Sequence, residues 1–299
     1  MLSALATADA VTWVSIVVKA LVYAASLLSA GSVLCAVSLR GLPPLERRRL
    51  AQLAALCAVT AAALSLVRIP LRASFLMGGT WHGAFDPMIL NMVVESPLGT
   101  SIALRLVGLA LILLILIRAR ATWLLAVAGA VLVVASFVFS GHTLGDRHLL
   151  LGLLVTLHLW GVAFWIGAFA PLYCIAGTSG SIAGQVAHDF GRKAVWIVAI
   201  LTVSGVITLW LLTGNPLTAL STPYGQLFVV KLTGFSALLG LAAWNKLRLT
   251  PGLLQGAPGA SMKLRKSILL EATLVAGILI TTAALTTVSA PVSSLASPI

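Results

Sequence analysis

Acidic residues are scarce in this chain: seven Asp and Glu in 299 residues, against nineteen Lys and Arg. Charged residues of both signs make up 9% of it, where a soluble globular domain carries roughly 25%. So little polar surface cannot cover a core in water, which excludes a soluble globule. Cysteine is equally scarce. Cys35, Cys57 and Cys174 show no C-x-x-C spacing and cannot all pair, so no disulfide framework is expected. The N-terminus lacks a basic region and a small-residue cleavage site ahead of a long soluble stretch. Its apolar run is therefore expected to be a retained helix and not a removed signal. Aromatic–basic interleaving on a polar face is also missing, so the formal charge of +12 does not point to nucleic acid.

What the chain has is apolar length. Hydrophobic residues make up 60% of it, and its mean hydropathy is +1.09. A bilayer-spanning helix takes about 20 mostly apolar residues. Eight segments qualify: 10–37, 48–72, 99–118, 121–141, 148–174, 192–213, 225–248 and 267–289. The fold class expected is thus an all-α integral membrane protein of eight transmembrane helices, a single membrane domain over 1–299. Segment 77–98 is expected to be an outer cap loop, carrying Gly78-Gly79, Trp81, His82, Asp86 and Pro87.

Basic residues set the orientation, because Lys and Arg accumulate in cytoplasmic loops. Connections 1–2, 3–4, 5–6 and 7–8 hold Arg40, Arg47–Arg49, Arg118, Arg120, Arg192, Lys193, Lys246, Arg248, Lys263, Arg265 and Lys266. The opposite connections hold only Arg147, with Arg68 and Arg72 near the end of the second span. Both termini are therefore expected on the periplasmic side of a cytoplasmic membrane.

The third and seventh spans open alike. Ser96-Pro97-Leu98-Gly99 precedes Arg105-Leu106 and Gly108, and Thr222-Pro223-Tyr224-Gly225 precedes Lys231-Leu232 and Gly234 at one constant offset. This points to two parallel four-helix halves, 10–141 and 148–289, related by an axis along the membrane normal. Arg105 and Lys231 then occupy equivalent places.

Ionisable groups inside a membrane are costly and are functional candidates by default. Lys19, Arg68, Arg105, His158, Lys231 and Glu271 are the set, with snorkelling or bracing of loop carbonyls as the plain alternative for the cations. Lys231, Arg105 and Glu271 are candidate gating or coupling residues; for Glu271, pairing with neighbouring bases is the favoured reading. His82 lies in the cap, and His142 and His148 bracket the turn between spans 4 and 5. His158 is ten residues beyond His148, roughly 15 Å deeper. The cap also holds Met77, Met88 and Met92. Imidazole and thioether suit Cu(I), and thiolates suit it better. Cys57, Cys35 and Cys174 map to the cytoplasmic half and are candidate acceptors there. A b-type haem uses the same histidines but needs two at similar depth on facing helices; His142 and His158 differ in depth. No nucleophile motif accompanies His142 and Asp146, so no enzyme is expected.

Several stretches carry a family resemblance. Ser140-Gly141-His142, His158-Leu159-Trp160 and Trp165-Ile166-Gly167 resemble the central part of the CopD family of bacterial copper-resistance and copper-uptake membrane proteins. Tyr224-Gly225, Lys231 and Asn245-Lys246-Leu247-Arg248-Leu249-Thr250-Pro251 continue the likeness, as do Gly99 and Arg105. Val155 departs from it, standing where many relatives carry Asp. The resemblance implies an eight-helix inner-membrane protein that moves copper from periplasm to cytoplasm. In it His142 and His158 match the family's central histidines and Lys231 its seventh-span lysine. The expected ligands are His142, His158, His148, His82, Met88 and Met92, with Cu(I) favoured over Cu(II). Expected partners are the copper ion, the lipid bilayer and a periplasmic copper-binding protein, with no nucleic acid. The alternatives are a haem-binding redox protein and a copper-binding scaffold for copper-enzyme assembly without transport. The oligomeric state is left open.

Overall fold

A computed structural model describes residues 9–117, 119–140, 148–178, 180–213 and 223–288, and these are helical with no strand among them. Helix α1 spans Ala10–Ser38, α2 Pro44–Leu76, α3 Pro87–Glu95, α4 Pro97–Leu113 and α5 Arg120–Ala135. Helix α6 spans His148–Thr178, α7 Gly180–Thr213, α8 Pro223–Trp244, α9 Thr250–Leu254 and α10 Ala260–Val288. Among the described residues seven helices are long and apolar enough to cross a membrane: α1, α2, α4, α5, α6, α7 and α10. The remaining expected span, 225–248, falls on α8, whose helix runs on as one π-helical stretch, Asn245–Leu249.

Polar punctuation sets the helix ends. Asp9 caps α1, its carboxylate accepting from the Thr12 amide at 2.8 Å. Hydrogen bonding by the Thr12 hydroxyl and then by its amide holds the Asp9 carboxyl below its ordinary range. Pro44, Pro87 and Pro97 sit in the first turns of α2, α3 and α4, where the missing amide is not needed. Several boundaries differ from the sequence expectation, among them that of α10, which starts at Ala260, seven residues before the expected 267. Helix α2 extends at both ends of 48–72. Helix α7 starts at Gly180, twelve residues before the expected 192, because Ala183, Val186 and Ala187 are buried on one face while Gln185 and His188 point outward. His188 is therefore on α7.

Helix α1 is the hub. From Ser29 to Ala36 every residue is buried, and α1 packs against α2, α5, α6 and α10. Such a helix is hydrophobic or small all round, and close approach in lipid needs small side chains. At the α1–α6 crossing a Cβ on Gly31 would lie 1.9 Å from the Ala163 carbonyl oxygen, and one on Gly167 would lie 2.2 Å from the Gly31 carbonyl carbon. The Cys35 thiol adds a bond to the Phe164 carbonyl at 3.3 Å, and the Ser29 hydroxyl one to the Ala54 carbonyl at 2.9 Å. Gly108 and Gly129 make a second crossing of this kind between α4 and α5.

The opposing ends differ in character. At one end, Gly78 and Gly79 turn the chain with φ of 69° and 80°, a region open to glycine, and lead through a 3-10 turn, His82–Phe85, into α3. This is the cap end, and segment 77–98 is largely helical, not a loop. At the other, basic end, Asp189 on α7 accepts from the Arg40 amide at 2.9 Å and pairs with Lys193, which also donates to the Ser38 carbonyl at 2.7 Å. One carboxylate thus ties α7 to the turn between α1 and α2.

Because the neighbours of Gly31 are backbone atoms, the helices must part if a side chain is added. Gly31→Ala is expected to destabilise the detergent-solubilised protein by at least about 1–3 kcal/mol, seen as a lower thermal midpoint. Gly240→Ala, with nothing within 4 Å of the added carbon, should leave the midpoint unchanged or raise it. Equal shifts in the two variants would contradict a tight α1–α6 crossing.

Candidate functional site

Polar groups fall into three levels between the two ends. At the cap end, Asp86 caps α3, its Oδ1 accepting from the Met88 and Ile89 amides at 2.9 and 3.1 Å. The cap anchors α3 so that Val93 packs inward, 2% exposed, while Met88 and Met92 face out at 81% and 50%. One turn apart, the two thioethers share one helix face. His82, on the preceding turn, is also exposed, as are Trp81 and Phe85. Aromatics at this level fit a headgroup interface.

The first interior level is cationic. Lys19 on α1 donates to the Thr286 carbonyl at 2.9 Å and the Thr287 hydroxyl at 3.4 Å, bracing the end of α10. Arg105 on α4 is fully buried. Its Nε donates to the Ser136 hydroxyl and its Nη2 to the Ser101 hydroxyl, each at 3.1 Å, and its guanidinium lies 4.1 Å from the centre of the Phe137 ring. Among the described residues no carboxylate pairs with it. Asp86 and Glu95 are engaged elsewhere, Glu95 accepting from Asn91 at 2.8 Å. The two serine hydroxyls hold their own carbonyl acceptors, Ser136 and Val133, so they donate there and accept from Arg105.

The second level lies between α6, α7 and α8. His158 Nδ1 stands 3.4 Å from the Ser204 hydroxyl, which also reaches the Leu201 carbonyl at 3.2 Å. Lys231 is close enough for its charge to act on His158. Arg105 and Lys231 stand at the same register, eight residues after the proline that opens their helices, yet Arg105 is sealed and Lys231 half-buried.

The third level, nearer the basic end, holds Glu271. It is 4% exposed and accepts from Trp165 Nε1 at 3.1 Å and Asn245 Nδ2 at 2.5 Å. Expected pairing with a base is corrected here: both partners are neutral, and Arg265 stacks on Tyr173 instead, 4.2 Å from the ring centre. Asn245 opens the π-helical stretch, a distortion common at functional sites. Sequence reasoning singled out Trp165 and Asn245 only as family motif letters; their common partner lies 106 and 26 residues away.

Cys35 is fully buried, Cys57 and Cys174 partly so, and all three are free thiols. His142 lies outside the described residues, and so does the side chain of His148. Among the described residues no group of three or more His, Cys, Asp or Glu is gathered to hold a metal. Among the described residues, Met88 and Met92 are the expected ligands that share a face.

A buried guanidinium without a counter-ion costs stability. Arg105→Met keeps an apolar stem and leaves both serines with their carbonyl partners. We expect thermal stability within about 1 kcal/mol of the parent, or above it. A loss of several kcal/mol would make Arg105 a structural brace.

Two family models match this chain: "Copper resistance protein D-like, N-terminal domain" over residues 7–153 and "Copper resistance protein D" over residues 184–285. Among curated proteins, Copper resistance protein D of Pseudomonas syringae pv. tomato is 29% identical over 204 residues. That alignment takes in 63% of this chain and 66% of the relative, so the chain spans just under two thirds of that protein's length. No solved structure matches. With its two family models laid end to end over most of its length and its long apolar helices, this multi-pass membrane protein belongs to the copper resistance protein D family.

Proposed function

We propose that this protein carries copper across the bacterial cytoplasmic membrane, from periplasm to cytoplasm, as Cu(I) in preference to Cu(II). The reading includes eight spans, with α8 as the seventh, in one membrane domain of two parallel halves, 10–141 and 148–289. Both termini and the cap then face the periplasm. The basic residues at the other end support that orientation.

The observation that carries the reading is the order of soft ligands along the bundle of a copper-resistance family member. Exposed Met88 and Met92 share a face at the cap end. His158 stands at the second level, and Cys35, Cys57 and Cys174 lie towards the basic end. Met88, Met92 and His82 would collect the ion, from solution or from a periplasmic copper-binding protein, and His142, His148 and His158 would pass it inward. Ser204 gives His158 a defined tautomer in this scheme. With its hydroxyl proton directed to the Leu201 carbonyl, Ser204 accepts from His158 Nδ1–H, and Nε2 keeps its lone pair for a metal.

Lys231 beside this histidine opposes a cation unless it is neutral or moves. It is thus the residue to gate or couple the passage, with Arg105 adding positive field and Glu271 carrying a compensating proton. Neutral donors around Glu271 tolerate either protonation state better than a salt bridge would.

Copper content after Cu(I) loading is the first test. The parent should hold about one copper per chain, and His142→Ala with His158→Ala should lose it. Retention in that variant but loss in Met88→Leu with Met92→Leu would restrict binding to the cap. In proteoliposomes Lys231→Ala should reduce copper flux at least about tenfold, a change of roughly 1.4 kcal/mol in the barrier, with copper binding retained. Binding without flux in the parent would favour an assembly scaffold, and a Soret band in the purified protein would favour the haem reading.

A further inference from the structure

The sequence bias that places cations at the basic end leaves Lys19, Arg68 and Arg72 unexplained. All three lie towards the cap end of α1 and α2, together with Arg105 on α4. Three of them line one cleft of about 90 Å³ with Ser15, Leu71, Phe75, Leu98, Thr286 and Thr287. That is room for several waters, enough for a phosphate-sized group.

Every described acid is committed elsewhere. Asp9 and Asp86 cap helices, Glu46 and Asp189 pair with bases at the basic end, Glu95 accepts from Asn91 and Glu271 from Trp165 and Asn245. Arg68 Nη1 is buried with no hydrogen-bond partner. Lys19 uses two of its three N–H donors on α10 and keeps one. The fields of Arg68 and Arg72 both reach Lys19, and that of Arg68 reaches Arg105. Like charges gathered this closely repel one another unless an anion joins them, the more so for the half-buried Lys19 and Arg68. The chain supplies none among its described residues.

The cleft walls suit one kind of anion. Two guanidiniums and an ammonium match the several acceptor oxygens of a phosphate. Leu71, Phe75 and Leu98 form an apolar wall beside them, fit for the start of a hydrocarbon chain. Arg72 also stacks over Phe75, 5.3 Å from the ring centre, which directs the guanidinium to this wall.

We propose that the cleft between α1, α2 and α10 is a phosphate-binding site that holds a phospholipid headgroup at the cap end of the bundle. In the orientation proposed above this is the outer leaflet. The site is independent of copper transport: it rests on the cleft, its cations and the missing counter-ion.

The test uses the full chain, delipidated in detergent. Native mass spectrometry would compare phosphatidylglycerol with phosphatidylcholine as added lipids, and thermal unfolding would be followed with inorganic phosphate. Phosphatidylglycerol should bind at least about tenfold more tightly than phosphatidylcholine, and Arg68→Gln or Lys19→Gln should remove most of that difference. Arg120→Gln, the same charge change on an exposed residue at the basic end, should leave it intact. Arg68→Lys keeps the charge and should retain part of the preference, which separates loss of the site from loss of the fold. Protection by inorganic phosphate that depends on Arg68 would keep the site and make its ligand a free oxyanion. Equal retention of the two lipids with no phosphate effect, or equal losses in Arg68→Gln and Arg120→Gln, would overturn the proposal.

Discussion

The backbone contact between α1 and α6 is the constraint on which the arrangement rests. Gly31 and Gly167 let two main chains meet where any side chain would hold them apart, and α1 can then touch α2, α4, α5, α6 and α10 at once. In lipid, apolar burial gives helices little reason to associate, so close packing and interhelical hydrogen bonds must do so. Ser29 and Cys35 place such bonds on either side of Gly31. Pro171 lies one turn past Gly167 and removes the amide that would serve the Gly167 carbonyl, loosening α6 just after its tightest contact. Everything the polar levels do depends on this hub, because Lys19 on α1, His158 and Trp165 on α6, and Glu271 on α10 are held in place by it.

Scarcity of acid has a second consequence. With four of the six described carboxylates spent on caps and end latches, the interior cations are held by neutral groups: Arg105 by two serines and a ring, Lys19 by a carbonyl and a hydroxyl. Neutral ligation leaves their charge standing. The interior therefore keeps a positive field at the cap end, which attracts anions and resists a bare copper ion. A copper ion travelling with a bound anion, or past a neutral lysine, meets less resistance than one travelling alone. Neutral donors leave Glu271 in a comparable position with the opposite sign.

Much of the bundle was legible because hydropathy is local. Seven expected spans fall on helices long and apolar enough to cross a bilayer, and the helix start at Pro97 could be read from proline and its capping Ser96; the starts at Pro44 and Pro87 lay outside the expected spans. Helix α7 exceeded its hydropathy window because its first twelve residues mix buried alanine and valine with polar residues, a pattern that an apolar-run reading ends too early. Long-range partners were not legible. Nothing near Gly31 marks it as the contact of Gly167, and nothing near Glu271 names Trp165, since both pairs form only after the helices assemble. Imidazoles and thiols could be placed by depth along the chain, but not by azimuth around a helix. Met88 and Met92, in a segment expected to be a loop, share a face only because Pro87–Glu95 is a helix.

The two matched helices show how identical registers can diverge. Arg105 and Lys231 each follow an opening proline by eight residues, and on the proposed duplication they descend from one position. The first is enclosed by Ser101, Ser136 and Phe137; the second stands half-buried within reach of His158. An enclosed guanidinium stays charged across any ordinary pH. An ammonium is a flexible point charge that burial can neutralise, and it can swing on its four-carbon stem. If one half keeps a fixed charge and the other an adjustable one, a switch belongs to the adjustable half. The histidine, the lysine and the π-helical asparagine all lie in the second half, and there the chemistry of passage has the freedom to change state.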